Sequence, residues 1–252
     1  MTVNVYNKEG KASAKAEVPA VFSTAFRPDL IRKAVNVAQA NRRQRYGAMP
    51  VAGERASVEW PGKGKGMART PRQRQGSAAR FVPNAYKGRR AHPPEARHFW
   101  TEKINDQERR LAIASALAQT ASADAVKARG HKVDAKVAFP VIVTDDVATV
   151  PATSDLAAVL GLLGLGADLE RAKLGVHVRA GMGKLRGRRY RTPRSVLFVT
   201  ADGKAPAAFN LAGVEVVAAR NLSAEDLAPG GDAGRLTVYT QGALAHIKEA
   251  FA

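Results

Sequence analysis

The 252-residue chain has no cysteine. That absence excludes a disulfide scaffold and thiolate metal sites, and it fits a reducing compartment. Long apolar runs are missing too, since the longest, Ala157 to Ala167, is broken by three glycines and falls well short of the ~20 residues of a membrane span. Lys8, Glu9 and Lys11 interrupt the N-terminus before a signal-peptide core could form. The expectation is a soluble, intracellular chain with no membrane partner.

Two segments each lack a whole class of side chain. Between Pro61 and Arg80 there is no Val, Ile, Leu, Phe, Trp or Tyr, so no apolar face exists there to offset the entropy of ordering the backbone. Something outside the chain must order it. The second segment, Lys184 to Arg194 (KLRGRRYRTPR), has six basic residues and no acid, and such a run repels itself without a counter-anion.

The positive charge that is present sits in these places. Residues 42–100 carry 14 Lys and Arg against Glu54, Glu59 and Glu95, a local charge of +11, and with the second segment they hold 17 of the net 18 charges. The other 182 residues have 20 basic and 19 acidic side chains, the balance of an ordinary domain. Charge focused into two blocks on a neutral background argues for two parts of one polyanion-binding surface.

The neutral remainder, roughly 190 residues, is long enough for one core. Thr2 to Tyr6 alternates as a strand, and Glu17-Val18-Pro19 reads as an edge beside it. Pro28 opens a helix with apolar residues at Leu30, Ile31, Ala34, Val35 and Ala38, and its last turn, Asn41 to Arg45, is basic. A further helix starts near Asn105, where Asn105 and Glu108 have capping-box spacing and Leu111, Ile113, Ala114, Leu117 and Ala118 form an apolar face. Strands are predicted over Val137–Val143, Val176–Val178, Ser195–Thr200, Val214–Ala218 and Leu236–Thr240. Helices are predicted over Asp155–Leu163, Phe209–Ala212, from Ser223, and over Gly242–Phe251. This alternation predicts an α/β fold, a mostly parallel sheet covered by helices in three layers, with a long extended basic loop inserted after the first helix. The expected division is 1–41 with 101–252 as the globular domain and 42–100 as the loop.

Catalytic chemistry finds little support. Asp145, Asp146 and Asp202 follow predicted strands, where ligands of such sheets bind, but acids there usually cap helices or form turns. The glycines around Gly181 and Gly161 miss the nucleotide fingerprints. Histidines 92, 98, 131, 177 and 246 show no metal-ligand spacing with a carboxylate, and no serine lies in a Gly-x-Ser-x-Gly context. No catalytic residue, metal ligand or small-molecule substrate is expected.

RNA binding fits better. The candidates in the first segment are Arg42, Arg43, Arg45, Arg55, Lys63, Lys65, Arg69, Arg72, Arg74, Arg80, Lys87, Arg89, Arg90 and Arg97. Trp60, Phe81 and Tyr86 flank its aliphatic-free middle and could stack on unpaired bases, or instead anchor the stems to the domain. In the second segment the candidates are Lys184, Arg186, Arg188, Arg189, Arg191 and Arg194, with Tyr190 interleaved among the arginines. The glycines of Gly62-Lys63-Gly64-Lys65-Gly66 permit close approach to a phosphate and backbone angles that other residues resist.

Several ordered pieces carry a resemblance. These are GKGKGMARTPRQRQGSAARFVPNAYKGRRAHPP from Gly62, INDQERRLAIASALAQT from Ile104, GRRYRTPRSVLFVT from Gly187 and LAPGGDAGRLTVYT from Leu227. Together the chain resembles the family of the fourth protein of the large ribosomal subunit, in its archaeal form. The resemblance implies a structural, non-catalytic constituent that binds large-subunit rRNA and joins early in assembly, in the cytoplasm. Its implied partners are that rRNA, neighbouring large-subunit proteins and the nascent polypeptide. No cofactor is implied beyond Mg or monovalent ions accompanying the rRNA. It implies a loop tip near the narrow part of the peptide exit tunnel, which falls here on Gly62, Gly64, Gly66, Met67, Arg69, Thr70, Arg72 and Gly76. Residues 42–55 and 80–97 are then the stems. Two other readings of the same residues are a free nucleic-acid-binding regulator and an α/β enzyme with a basic lid.

Overall fold

A computed structural model describes residues 2–251. The chain divides into two units, one formed by the chain up to Gln39 together with that from Lys103 onward, the other by Ala40–Glu102.

In the first unit β1 (Thr2–Tyr6) turns back into β2 (Ala12–Glu17) and α1 spans Pro28–Asn41. The second unit contains only two two-residue strands, β3 (Val58–Glu59) and β4 (Arg72–Gln73), paired antiparallel. The first unit resumes with α2 (Asp106–Thr120), α3 (Ala123–Ala128), β5 (Val141–Val143), α4 (Thr153–Leu162) and α5 (Gly166–Leu174). A small ribbon of β6 (His177–Val178) and β7 (Tyr190–Arg191) follows. The chain continues through β8 (Leu197–Thr200), β9 (Glu215–Ala218), α6 (Ala224–Leu227), β10 (Thr237–Thr240) and α7 (Gln241–Ala250).

Six strands form one sheet in the order β2-β1-β5-β10-β8-β9, antiparallel only between β1 and β2. Its central strands are buried on both faces and read as continuous apolar runs for that reason. Alternate residues go to opposite sides. Ile142, Leu197, Val199 and Tyr239 join Ile31, Val35, Leu117 and Ile247 from the helices α1, α2 and α7. Val141, Val143, Phe198 and Val238 join Val126, Leu156, Leu160 and Leu165 on the other side. The architecture is the expected three-layer α/β fold.

Local expectations differ in several places. Helix α1 ends at Asn41 with no base in its last turn, so the arginines at 42, 43 and 45 lie beyond it. The edge strand is Ala12–Glu17, because Pro19 lacks an N–H and starts a turn of 3-10 helix instead. Asn105 caps α2 by position without a side-chain bond, and Glu108 pairs with Lys33 at 2.6 Å. Leu111 is exposed while Leu117 is fully buried. Strand β5 begins only after Pro140, which has no N–H for a ladder. The expected helix at Phe209–Ala212 is a 3-10 turn over Pro206–Asn210. Helices α3 and α5 were not expected; both are short.

Candidate nucleic-acid interface

Within Ala40–Glu102 a single residue, Pro71, is buried, so hydrophobic burial cannot hold this unit in one conformation. Backbone proximity shapes it instead. The Ala48 N–H donates to the Pro94 carbonyl at 2.8 Å, and a Cβ on Gly47 would fall 2.2 Å from the Ala96 nitrogen. Gly53, at φ +85°, is likewise pressed against Arg89. Residues 42–55 and 80–97 therefore run side by side.

The end of this unit is built differently. Gly62, Gly64, Gly66 and Gly76 all have positive φ, and a Cβ added to any of them would meet nothing within 4 Å. These glycines serve backbone angle and an open surface rather than internal packing. Lys63, Lys65, Met67, Arg69 and Arg74 are exposed between and beside them. Arg72 is half-buried, donating to the Ser77 carbonyl, and Arg80 donates to the Tyr86 carbonyl at 2.7 Å. The non-glycine residues with positive φ among those described, Phe81, Lys87 and His92, all lie in this unit. Such angles cost about 1–2 kcal/mol each, and no core of its own offsets them.

The aromatic side chains here face outward. Trp60 is 67% exposed and Tyr86 82%, whereas Phe81 is half-buried. The rings of Trp60 and Tyr86 are thus open, and that of Phe81 is partly covered. A second group was not singled out from the sequence. The Arg43 guanidinium lies 3.8 Å from the Trp100 ring centre and that of Arg45 4.3 Å from Phe99, while His98 packs edge-on to Trp100. The run His98-Phe99-Trp100 beside Arg97 was the available signal. Stacked guanidinium and indole planes present flat faces of the kind on which bases stack. Arg55, Lys87, Arg89, Arg90 and Arg97 are exposed, with Arg89 and Arg97 near Glu54 and Glu95; Arg42 is exposed as well.

In the other unit the β6–β7 ribbon displays the second basic run. Lys184, Arg186, Arg188, Arg189, Tyr190, Arg191 and Arg194 are all exposed, and Arg189 lies 5.7 Å from the Tyr190 ring centre. The ribbon returns to the core at Ser195, whose N–H donates to the Gly213 carbonyl at 2.8 Å.

A buried polar cluster fixes that return point. Asp168 is fully buried and accepts from Arg171 Nε at 2.8 Å and Ser195 Oγ at 2.7 Å, with His131 Nδ1 at 3.1 Å. Burial alone would raise the Asp168 carboxyl, but these hydrogen bonds outweigh it and hold it well below the usual carboxylate range. Arg171 Nη2 then donates to the Arg194 carbonyl at 2.7 Å. Ser, His and Asp meet here without forming a nucleophilic triad, because Ser195 bonds the carboxylate and is sealed from solvent. Residues 131, 168 and 195 are too far apart in sequence for spacing to show the cluster.

The post-strand acids fit their structural reading. Asp145 accepts from the Gly242 N–H at 3.0 Å at the start of α7, the Asp146 carbonyl accepts from Thr149, and Asp202 is exposed. Among the described residues, no group of three or more His, Asp or Glu could hold a metal ion, and no helix is long and apolar enough to cross a membrane.

Residues 16–250 match the Ribosomal protein L4/L1 family. The large ribosomal subunit protein uL4 of Halorubrum lacusprofundi is 48% identical over 249 residues, covering 99% of this chain and all of that protein. The proteins of the same name from Methanococcus vannielii and Haloarcula marismortui are each 46% identical, over 253 and 249 residues, again along the whole of each relative.

Proposed function

Because this chain belongs to the Ribosomal protein L4/L1 family, we propose that it is built into the large ribosomal subunit, with the 40–102 unit as its principal rRNA-binding element. It is a structural ribosomal protein and not an enzyme, it associates with large-subunit rRNA, and as a ribosomal component it works in the cytoplasm. The observation that carries the role of the loop is the single buried residue in Ala40–Glu102. A segment that densely basic, with outward aromatic rings and no core, needs a polyanion to order it.

Finer roles follow from the arrangement. Residues 42–55 and 80–97 contact rRNA backbone through their arginines, while Trp60, Tyr86, Phe99 and Trp100 offer stacking faces for unpaired bases. The open glycine-rich end, Gly62 to Gly76, lines the peptide exit tunnel, with Met67 and the arginines at 69 and 72 toward the nascent chain. Ordering the loop on rRNA suits early entry into assembly, before neighbouring large-subunit proteins close over it. Metal ions, in this reading, belong to the rRNA and not to a protein site.

Sedimentation tests the proposal. Tagged chain expressed in an archaeal host should co-migrate with large subunits after a moderate-salt wash, and a variant lacking residues 61–80 should show reduced incorporation. Full-length chain remaining at the top of the gradient would overturn it.

A further inference from the structure

The turn at Pro229–Gly234 plays no part in the loop, yet its residues Pro229 to Ala233 form one wall of a cleft of about 800 Å³ in the first unit. Five arginines reach this cleft: Arg32 from α1, Arg129 after α3, Arg171 on α5, and Arg191 and Arg194 from the end of the basic ribbon. Asp232 is the one carboxylate lining it, among the described residues. Asp168 stands behind Arg171, and Glu215 is shared between Arg194 and the fully buried Arg235. The five arginines of the cleft thus meet three carboxylates, Asp232 in its lining with Asp168 and Glu215 behind it, and two positive charges remain.

The internal bonds do not cancel that excess. Arg129 donates to the carbonyls of Asp232 and Pro229, which fixes its position without neutralising its charge. Burial first, and then the neighbouring Arg235 charge, pulls Arg129 below the ordinary guanidinium value. Arg32 meets Asp232 only at 3.6 Å, with both side chains largely exposed. Gly231, at φ +91°, leaves room for it: a Cβ there would lie 3.0 Å from Arg32 Cγ. Planar guanidinium groups converging on a concave, net-positive site match the oxygens of a phosphate.

We propose that this cleft grips a phosphodiester of the RNA backbone, a contact site on the globular unit that is separate from the loop. The proposal rests on the rRNA-binding reading above. It adds Arg32, Arg129 and Arg171 to the RNA contacts and gives the Pro229–Gly234 turn its purpose as the frame that holds Arg32 and Arg129.

The test uses the full chain and large-subunit rRNA. The double variant R32A/R191A removes two exposed side chains and should keep the circular dichroism of the parent. Its affinity should fall about tenfold, and the slope of log K against log salt should shrink by about 1.4–1.8. D232N, which removes the lining carboxylate, should bind more tightly, a gain that misfolding cannot produce. Unchanged affinity and slope in both variants would overturn the proposal. A second arm adds inorganic phosphate at constant ionic strength. Phosphate that raises the melting temperature of the parent but not of R32A/R191A, with RNA binding equal in both, would assign the cleft to free phosphate and also overturn it. R55A/R90A, which removes two exposed arginines of the rRNA-contacting stretches, keeps the two readings apart. If it leaves RNA binding unaltered, the loop reading fails, while the cleft variants still decide the cleft.

Discussion

Asp168 shows how a single residue can tie the working surface to its support. Its carboxylate holds His131, Arg171 and Ser195 together, and Arg171 in turn holds the Arg194 carbonyl at the foot of the basic ribbon. Since its folded pKa lies below the ordinary Asp value, its contribution is complete above about pH 4 and is lost as pH falls through the depressed value. Replacing Asp168 with Asn should cost roughly 3–5 kcal/mol at neutral pH, because the Arg171 guanidinium then loses its counter-charge and the hydrogen bonds that Asp168 accepts are disrupted. Denaturant unfolding over a pH series should show that difference shrinking below about pH 4; a difference independent of pH would contradict the role. A second contrast concerns α2. Leu117→Ala should destabilise by about 2–5 kcal/mol, whereas exposed Leu111→Ala should stay within about 0.5 kcal/mol, both read from urea unfolding. The sequence marked both leucines as apolar-face residues, because alanines surround them and blur which side of the helix is inward. The Asp168 cluster was illegible, since its members come from three separate segments.

At the scale of elements, the strands were the most readable feature. Leu197–Thr200 and Thr237–Thr240 stood out as apolar runs because both of their faces are buried. Helix α1 was equally plain, from its Pro28 start and its apolar spacing. Helices α3 and α5, at six and nine residues, are too short to leave a clear periodic signal. The glycine-rich middle of the loop was legible through what it lacks, but the stacking of Arg43 on Trp100 and Arg45 on Phe99 was not, as it joins residues some 55 apart in the chain. Deleting residues 61–80 removes β4 and the open glycines but no core residue of the first unit. A calorimetric melt should therefore keep its main transition within a few degrees of the parent; loss of that transition would show that the globular unit depends on the loop. Replacing Trp60 and Phe99 by Ala should weaken RNA binding by about 1–3 kcal/mol for each stacked base, measured by fluorescence anisotropy of labelled rRNA, with no change in the melt.

For the molecule as a whole, the division of charge is the central fact. A balanced α/β unit carries its own core on both sides of a parallel sheet, and nearly all the net charge of +18 lies in two segments that have almost no core. The first part has the core that the second lacks, and the proposed role of RNA is to order the second. In the proposed function this focused charge meets rRNA phosphates directly. The affinity of the full chain for large-subunit rRNA, followed across salt concentrations, measures that meeting. Displacement of counterions from six or more phosphates predicts that log K falls by roughly five per decade of salt; a flat dependence would contradict the account.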